Sequence, residues 1–122
     1  MNRNPEPLER CGQCQALIEE GEALGTHVPD SSYLHPHDPT RDGDRPLIAC
    51  SPEHLAELMK AAGARPYLDV ELWAGKIDRA LATCPQGLSL YALAVKTGLT
   101  QDQIEQAALW SGRSVHSLGN PP

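Results

Sequence analysis

Four residues carry the chemistry that this sequence offers most directly. Cys11 and Cys14 stand two residues apart in CGQC, and Cys50 and His54 stand three apart in LIACSPEHLAEL (48–59). The first pair has knuckle spacing: a tight turn with a glycine lets two thiolates converge on one ion. Ser51 and Pro52 are helix-start residues, and LAEL runs on with apolar positions at helical spacing. That start puts Cys50 at or near the N-cap and His54 in the first turn, both facing the same way. One ligand pair from a turn and one from a helix start make a Cys3His set, the donor set of a closed structural zinc site. The positive end of the helix dipole is expected to favour the thiolate of Cys50.

The intervening segment holds other candidates. His27, His35 and His37 lie between the two pairs, and any of them could replace His54 as the fourth ligand. A redox dithiol at CGQC would need a preceding strand and a long following helix, which the N-terminus lacks. Four protein ligands leave no open position for water, so a catalytic zinc is not expected. The stretch LHPHDPTRDGDR (34–45) gathers two His, three Asp and two Arg. It reads either as a solvated loop with turn chemistry or as a second metal site built around His35, His37 and Asp38.

Those residues must be positioned by two halves with different patterns. Strand-like pieces fit around 15–18, 23–28 and 46–49, followed by a helix from Ser51 to about Ala62 with Leu55, Leu58 and Met59 on one face. AAGARP (61–66) combines a helix stop with a linker signal. Beyond it the pattern is helical. Asp69 is placed to cap a helix over 70–83 whose buried stripe is Trp73, Ile77, Ala80 and Leu81. Ser89 caps LYALAVKT, which Gly98 ends. Thr100 opens QDQIEQAALW, with Gln103 at capping-box spacing and Leu99 and Ile104 as a hydrophobic staple. Trp73 and Trp110 are both expected in the core, and Cys84 reads as a semi-buried bystander.

Two resemblances follow from these residues. The turn-then-helix arrangement of Cys11, Cys14, Cys50 and His54 resembles treble-clef zinc fingers, over about residues 8–60. GLSLYALAVKTGLTQDQIEQAALW (87–110) resembles the core of bacterial helix-turn-helix domains, with Ala92, Leu93, Leu99 and Ile104 at buried positions and Gly98 in the turn. The whole pattern is similar to small zinc-finger proteins of high-GC bacteria. The implied fold class is α+β: a flexible N-terminus (1–10), a treble-clef-like module of knuckle, β-hairpin and helix (11–62), a linker (63–68), a tri-helical module (69–113) and a flexible tail (114–122). The treble-clef resemblance also brings to mind HNH-type nucleases, but no Asn-and-His helical pair follows once Cys50 and His54 bind zinc.

Charge weighs on function. Sixteen acidic residues against ten basic ones give a formal charge of −6, which disfavours polyanionic partners. Eleven Pro and ten Gly are too many for a simple helix bundle, and no Phe is available for the core. No apolar run reaches membrane-span length and no signal-peptide h-region is evident, so a cytoplasmic protein is expected. DNA reading by the last helix would rest on Gln101 and Gln103 with Lys96 and Arg113 as phosphate contacts, on a helix with two acids and no base. The expectation is therefore a non-enzymatic regulator or adaptor with one structural Zn2+ that acts through a protein partner. The alternatives are a DNA-binding transcriptional regulator and, more remotely, a metal-dependent nuclease. Partner identity and oligomeric state are not legible.

Overall fold

The computed structural model describes residues 9–112, an α+β arrangement of two two-stranded antiparallel sheets and four α-helices. Strands β1 (Glu9–Arg10) and β2 (Leu17–Ile18) form the first sheet, so that CGQC is the turn of a short hairpin. Strands β3 (Leu24–Pro29) and β4 (Asp44–Ala49) form the second, in a register that sets Leu24 opposite Ala49 and Thr26 opposite Leu47. Each is an edge strand on one side, so Pro29 and Pro46 are tolerated. Leu47 and Ala49 alternate inward from β4, while Pro46 between the charged pair at its start and the strand's centre stays exposed. The strands expected at 23–28 and 46–49 thus form, and Glu9–Arg10 adds one that carries too few apolar residues to be read in advance.

Helix α1 (Pro52–Gly63) starts as its sequence dictates. The Ser51 hydroxyl accepts from the His54 N–H at 3.2 Å, and Pro52 occupies the first turn, where its missing N–H costs nothing. Leu55 and Leu58 pack onto a small core of Cys11, Ile18 and Ala49, together with Ile48. Met59, expected on the same face, is exposed.

Helices α2 (Asp69–Ala82), α3 (Leu90–Thr97) and α4 (Gln101–Trp110) pack on one another around Ala74, Ile77, Ala80, Leu93, Leu99, Ile104, Ala107 and Ala108. The Ser89 cap, Gly98 in the left-handed conformation and the full Thr100–Gln103 capping box all form. Leu99 and Ile104 are both buried, as a staple across the cap requires. Two expectations are corrected. Asp69 is the first helical residue of α2 rather than its cap; Leu68 takes that place without a side-chain bond, and Asp69 and Glu71 instead favour the first turn by charge. Trp110 is 49% exposed at the end of α4 rather than in the core, whereas Trp73 packs against it.

The chain divides into two compact units. Of the described residues, 9–30 and Asp44–Pro66 form one; Ser31–Gly43 and 67–112 form the other. The β3–β4 connection therefore belongs with the helices, although its two ends enter and leave the first unit. Asp42 explains why: its side chain, 1% exposed, accepts both terminal nitrogens of Arg79 in α2, at 2.9 and 2.7 Å. Ser31 donates to Glu71 at 2.6 Å and accepts from the Leu68 N–H, and Gly43, at φ +83°, leaves room for the Tyr67 hydroxyl. A short 3-10 turn (Pro39–Arg41) between them is capped by Asp38. The expected flexible ends fall almost wholly outside the described residues, as does Arg113.

Candidate metal centre

The knuckle and the helix start are held together by main chain. The Cys11 N–H donates to the Ala16 carbonyl and the Gln15 N–H to the Cys11 carbonyl, each at 2.9 Å, closing the turn. Gly12 then donates to the Ile48 carbonyl at 2.9 Å, which fastens the knuckle to β4 just before Cys50. A Cβ at Gly12 would approach a Leu58 methyl to 3.1 Å. So the glycine of CGQC lets the knuckle lie against α1, where a side chain would press on Leu58. The left-handed residue of the turn is not Gly12 but Gln15, at φ +66°, whose carbonyl accepts from Arg10. No sequence signal marks that position.

Cys11, Cys14, Cys50 and His54 place their ligand atoms within 4.8 Å of one another, small enough for a single ion to touch all four. The Cys14 and Cys50 sulfurs are 3.8 Å apart, and His54 Nδ1 lies 3.3 Å from Cys50 Sγ and 3.7 Å from Cys11 Sγ. Cys11 is fully buried, Cys14 and Cys50 are exposed, and His54 is half-buried.

The thiols differ in acidity. Burial pushes Cys11 up, but the backbone N–H groups of Cys14, Cys50 and Gln13, with His54, outweigh it and hold the thiol at about 6. Cys50 moves the other way: although the residue is exposed, partial loss of water around its sulfur raises it, and so do the neighbouring sulfurs of Cys14 and Cys11. The helix start was expected to favour the thiolate of Cys50; desolvation and the neighbouring sulfurs raise it instead, and the amides of the turn and of Cys50 acidify Cys11. Such a cluster is short of positive charge, which a cation would supply.

The other candidates lie apart. His27 is exposed on β3. His35 Nδ1 accepts from the backbone N–H groups of His37 and Asp38, at 3.0 and 2.9 Å, and the two imidazole centroids are 6.3 Å apart at 70°. Asp38 spends a carboxylate oxygen on Thr40. Among the described residues, the Cys3His group is the one set of three or more potential ligands close enough for a shared ion. Of the side chains that a DNA-reading role would use, Gln103 accepts from the Thr100 N–H, Gln101 donates to Glu105, and Lys96 lies near Thr83 and Cys84. Arg113 is outside the described residues.

Compared with protein-family models, curated proteins and solved structures, the chain finds no match. Among the described residues no helix is long and apolar enough to cross a membrane.

Proposed function

We propose that the protein is a non-enzymatic, zinc-binding regulator or adaptor: a treble-clef-like zinc module joined to a helix-turn-helix-like unit that docks a protein partner. The observation that carries the zinc reading is the spacing of the four ligand atoms. A tetrahedral zinc at ~2.3 Å from sulfur and ~2.0 Å from nitrogen separates two sulfurs by ~3.8 Å and a sulfur from a nitrogen by ~3.5 Å. The separations of 3.8 Å for Cys14–Cys50, and 3.3 and 3.7 Å from sulfur to His54, bracket those edges. Three thiolates and one imidazole also suit a borderline-soft ion over magnesium or calcium, which prefer oxygen. Bound there, zinc supplies a fixed crosslink and cancels the repulsion among the sulfurs. With all four positions filled by protein, its role is structural.

Docking through a protein is supported by what the helical unit leaves exposed. Tyr91 and Val95, one turn apart on α3, are 81% and 67% exposed, and Leu109 on α4 is 79% exposed. Apolar side chains at helical spacing suit a protein surface better than a phosphate backbone. The amides of α4 point the same way, since Gln106 donates to Asp102 as Gln101 does to Glu105. Each is thus tied to a carboxylate that repels DNA.

The test joins metal analysis to a titration. Purified protein should carry one zinc per chain, with Cys14→Ser and His54→Ala each losing most of it. Zinc-loaded protein titrated with mixed genomic fragments should show no binding at about 50 mM salt, where phosphate contacts are strongest. Binding that weakens with salt at a log–log slope of several phosphates would replace this reading with direct DNA recognition.

A further inference from the structure

The helical unit contains a cleft of about 390 Å³ that plays no part in the metal centre. Its walls come from the 3-10 turn and the residue that caps it (Pro39, Asp42), from the C-terminal half of α2 and its cap (Lys76, Arg79, Thr83) and from the end of α3 (Lys96, Thr97). We propose that this cleft binds a small phosphate monoester, held as a dianion between Lys76 and Lys96.

Charge balance selects the ligand class. Lys76, Arg79 and Lys96 face one carboxylate, that of Asp42, and both oxygens of Asp42 are taken by Arg79. Lys96 lies 3.4 Å from the Thr83 hydroxyl and 3.9 Å from the Cys84 sulfur. Among the described residues no carboxylate lies in ion-pair contact with Lys76 or Lys96, although the charge of Lys76 acts on Asp42 through space. Three cationic side chains against one carboxylate leave the cleft lining with a surplus of two positive charges, in a chain whose formal charge is −6. A phosphate monoester carries ≈ −1.5 to −2 at pH 7, which matches that surplus; a carboxylate matches half of it.

The polar surroundings favour the same ligand. Helix C-termini repel anions, and both α2 and α3 end at the cleft. However, the Thr83 hydroxyl donates to the Ala80 carbonyl at 3.0 Å and the Gly98 N–H to the Ala94 carbonyl at 2.9 Å, so one open carbonyl of each last turn is covered. Lys76 lies a full turn before the end of α2, where no C-terminal charge needs it. The Arg79–Asp42 pair fixes the floor, so the cleft does not have to be ordered on binding. Its volume exceeds that of a phosphate alone and falls in the range of small-molecule sites, which leaves room for the ester's organic part.

The experiment is an amide-resolved NMR titration of the zinc-loaded full chain with inorganic phosphate, ribose 5-phosphate, acetate and a short DNA duplex. The expected result is saturable shifts at Lys76, Arg79, Thr83, Lys96 and Thr97 with both phosphates, tighter for the ester, and no saturation with acetate. Lys76→Gln and Lys96→Gln should each weaken the ester about tenfold, the share of one charge-assisted hydrogen bond. Lys60→Gln, in α1, should change nothing. No saturation by about 10 mM ester, equal response to acetate, shifts away from the cleft, or binding indifferent to both lysine variants would overturn the proposal. Tight binding of the duplex with none of the ester would reassign the lysines to nucleic-acid backbone. Because wild-type protein alone yields the first three readouts, an unfolded variant would not leave the question open.

Discussion

At the scale of residues, the centre works through side chains with unequal tasks. Cys11, at about 6, is mostly a thiolate at pH 7, whereas desolvation and the neighbouring sulfurs favour the protonated form of Cys50. Zinc loading at pH 7 should therefore release protons, and affinity should fall on acidification, most steeply once Cys11 itself is protonated below about 6. Calorimetry in buffers of different ionisation enthalpy would count those protons. A count of zero would mean that Cys50 is already ionised. Gln15 offers a second test. A non-glycine residue in the left-handed region costs about 1 kcal/mol, so Gln15→Gly should stabilise the zinc-bound protein by up to that amount, less the entropy glycine adds to the unfolded chain. A loss on chemical denaturation would show that the Gln15 side chain matters more than its backbone.

The elements explain what was legible in the sequence and what was not. Helices α3 and α4 read correctly almost to the residue because each boundary has a local cause: Ser89, Gly98, Thr100 and Gln103 lie within three or four residues of the groups they satisfy. The Cys3His set was legible for the same reason, as two short spacings. What could not be read is non-local. Asp42 meets Arg79 across thirty-seven residues, and that ion pair turns a segment resembling a solvated loop into part of the helical unit. Removing one partner leaves the other charged and poorly solvated, so Asp42→Ala should cost about 2 kcal/mol, less than for a fully buried pair because Arg79 is partly exposed. Urea unfolding would measure it. Burial pushes the Asp42 carboxyl up, but Arg79 prevails and holds it below its usual value. Its folded value being the lower one, the pair's stabilisation is complete above about pH 4 and is lost as pH falls through the folded value. In Asp42→Asn that acid-dependent loss should vanish, while the rest of the acid transition remains.

For the whole molecule, the two units bury unequal cores. The helical unit buries eight apolar side chains around Ile77, Leu93 and Ile104, with Val70, Trp73, Leu81 and Leu88 packed against them. Among the described residues, the first unit buries only Cys11, Ile18 and Ala49 in its core cluster, with Ile48, Leu55 and Leu58 alongside, and Cys11 is itself one of the four potential ligands. So few apolar contacts cannot offset the ordering of an irregular chain at roughly 1–2 kcal/mol per residue, whereas a structural zinc contributes on the order of 10 kcal/mol. A chelator should therefore divide the protein in a way that heat or urea would not. Amide resonances of 9–30 and 44–66 should collapse toward random-coil positions on zinc removal, while those of α2, α3 and α4 stay dispersed and their helical circular dichroism persists. Cys50→Ser should mimic the chelator, and excess zinc should restore only the wild type. If the resonances of β3, β4 and α1 stayed dispersed without metal, the first unit would hold itself together by packing alone, and the cysteines would have to be explained by something other than folding.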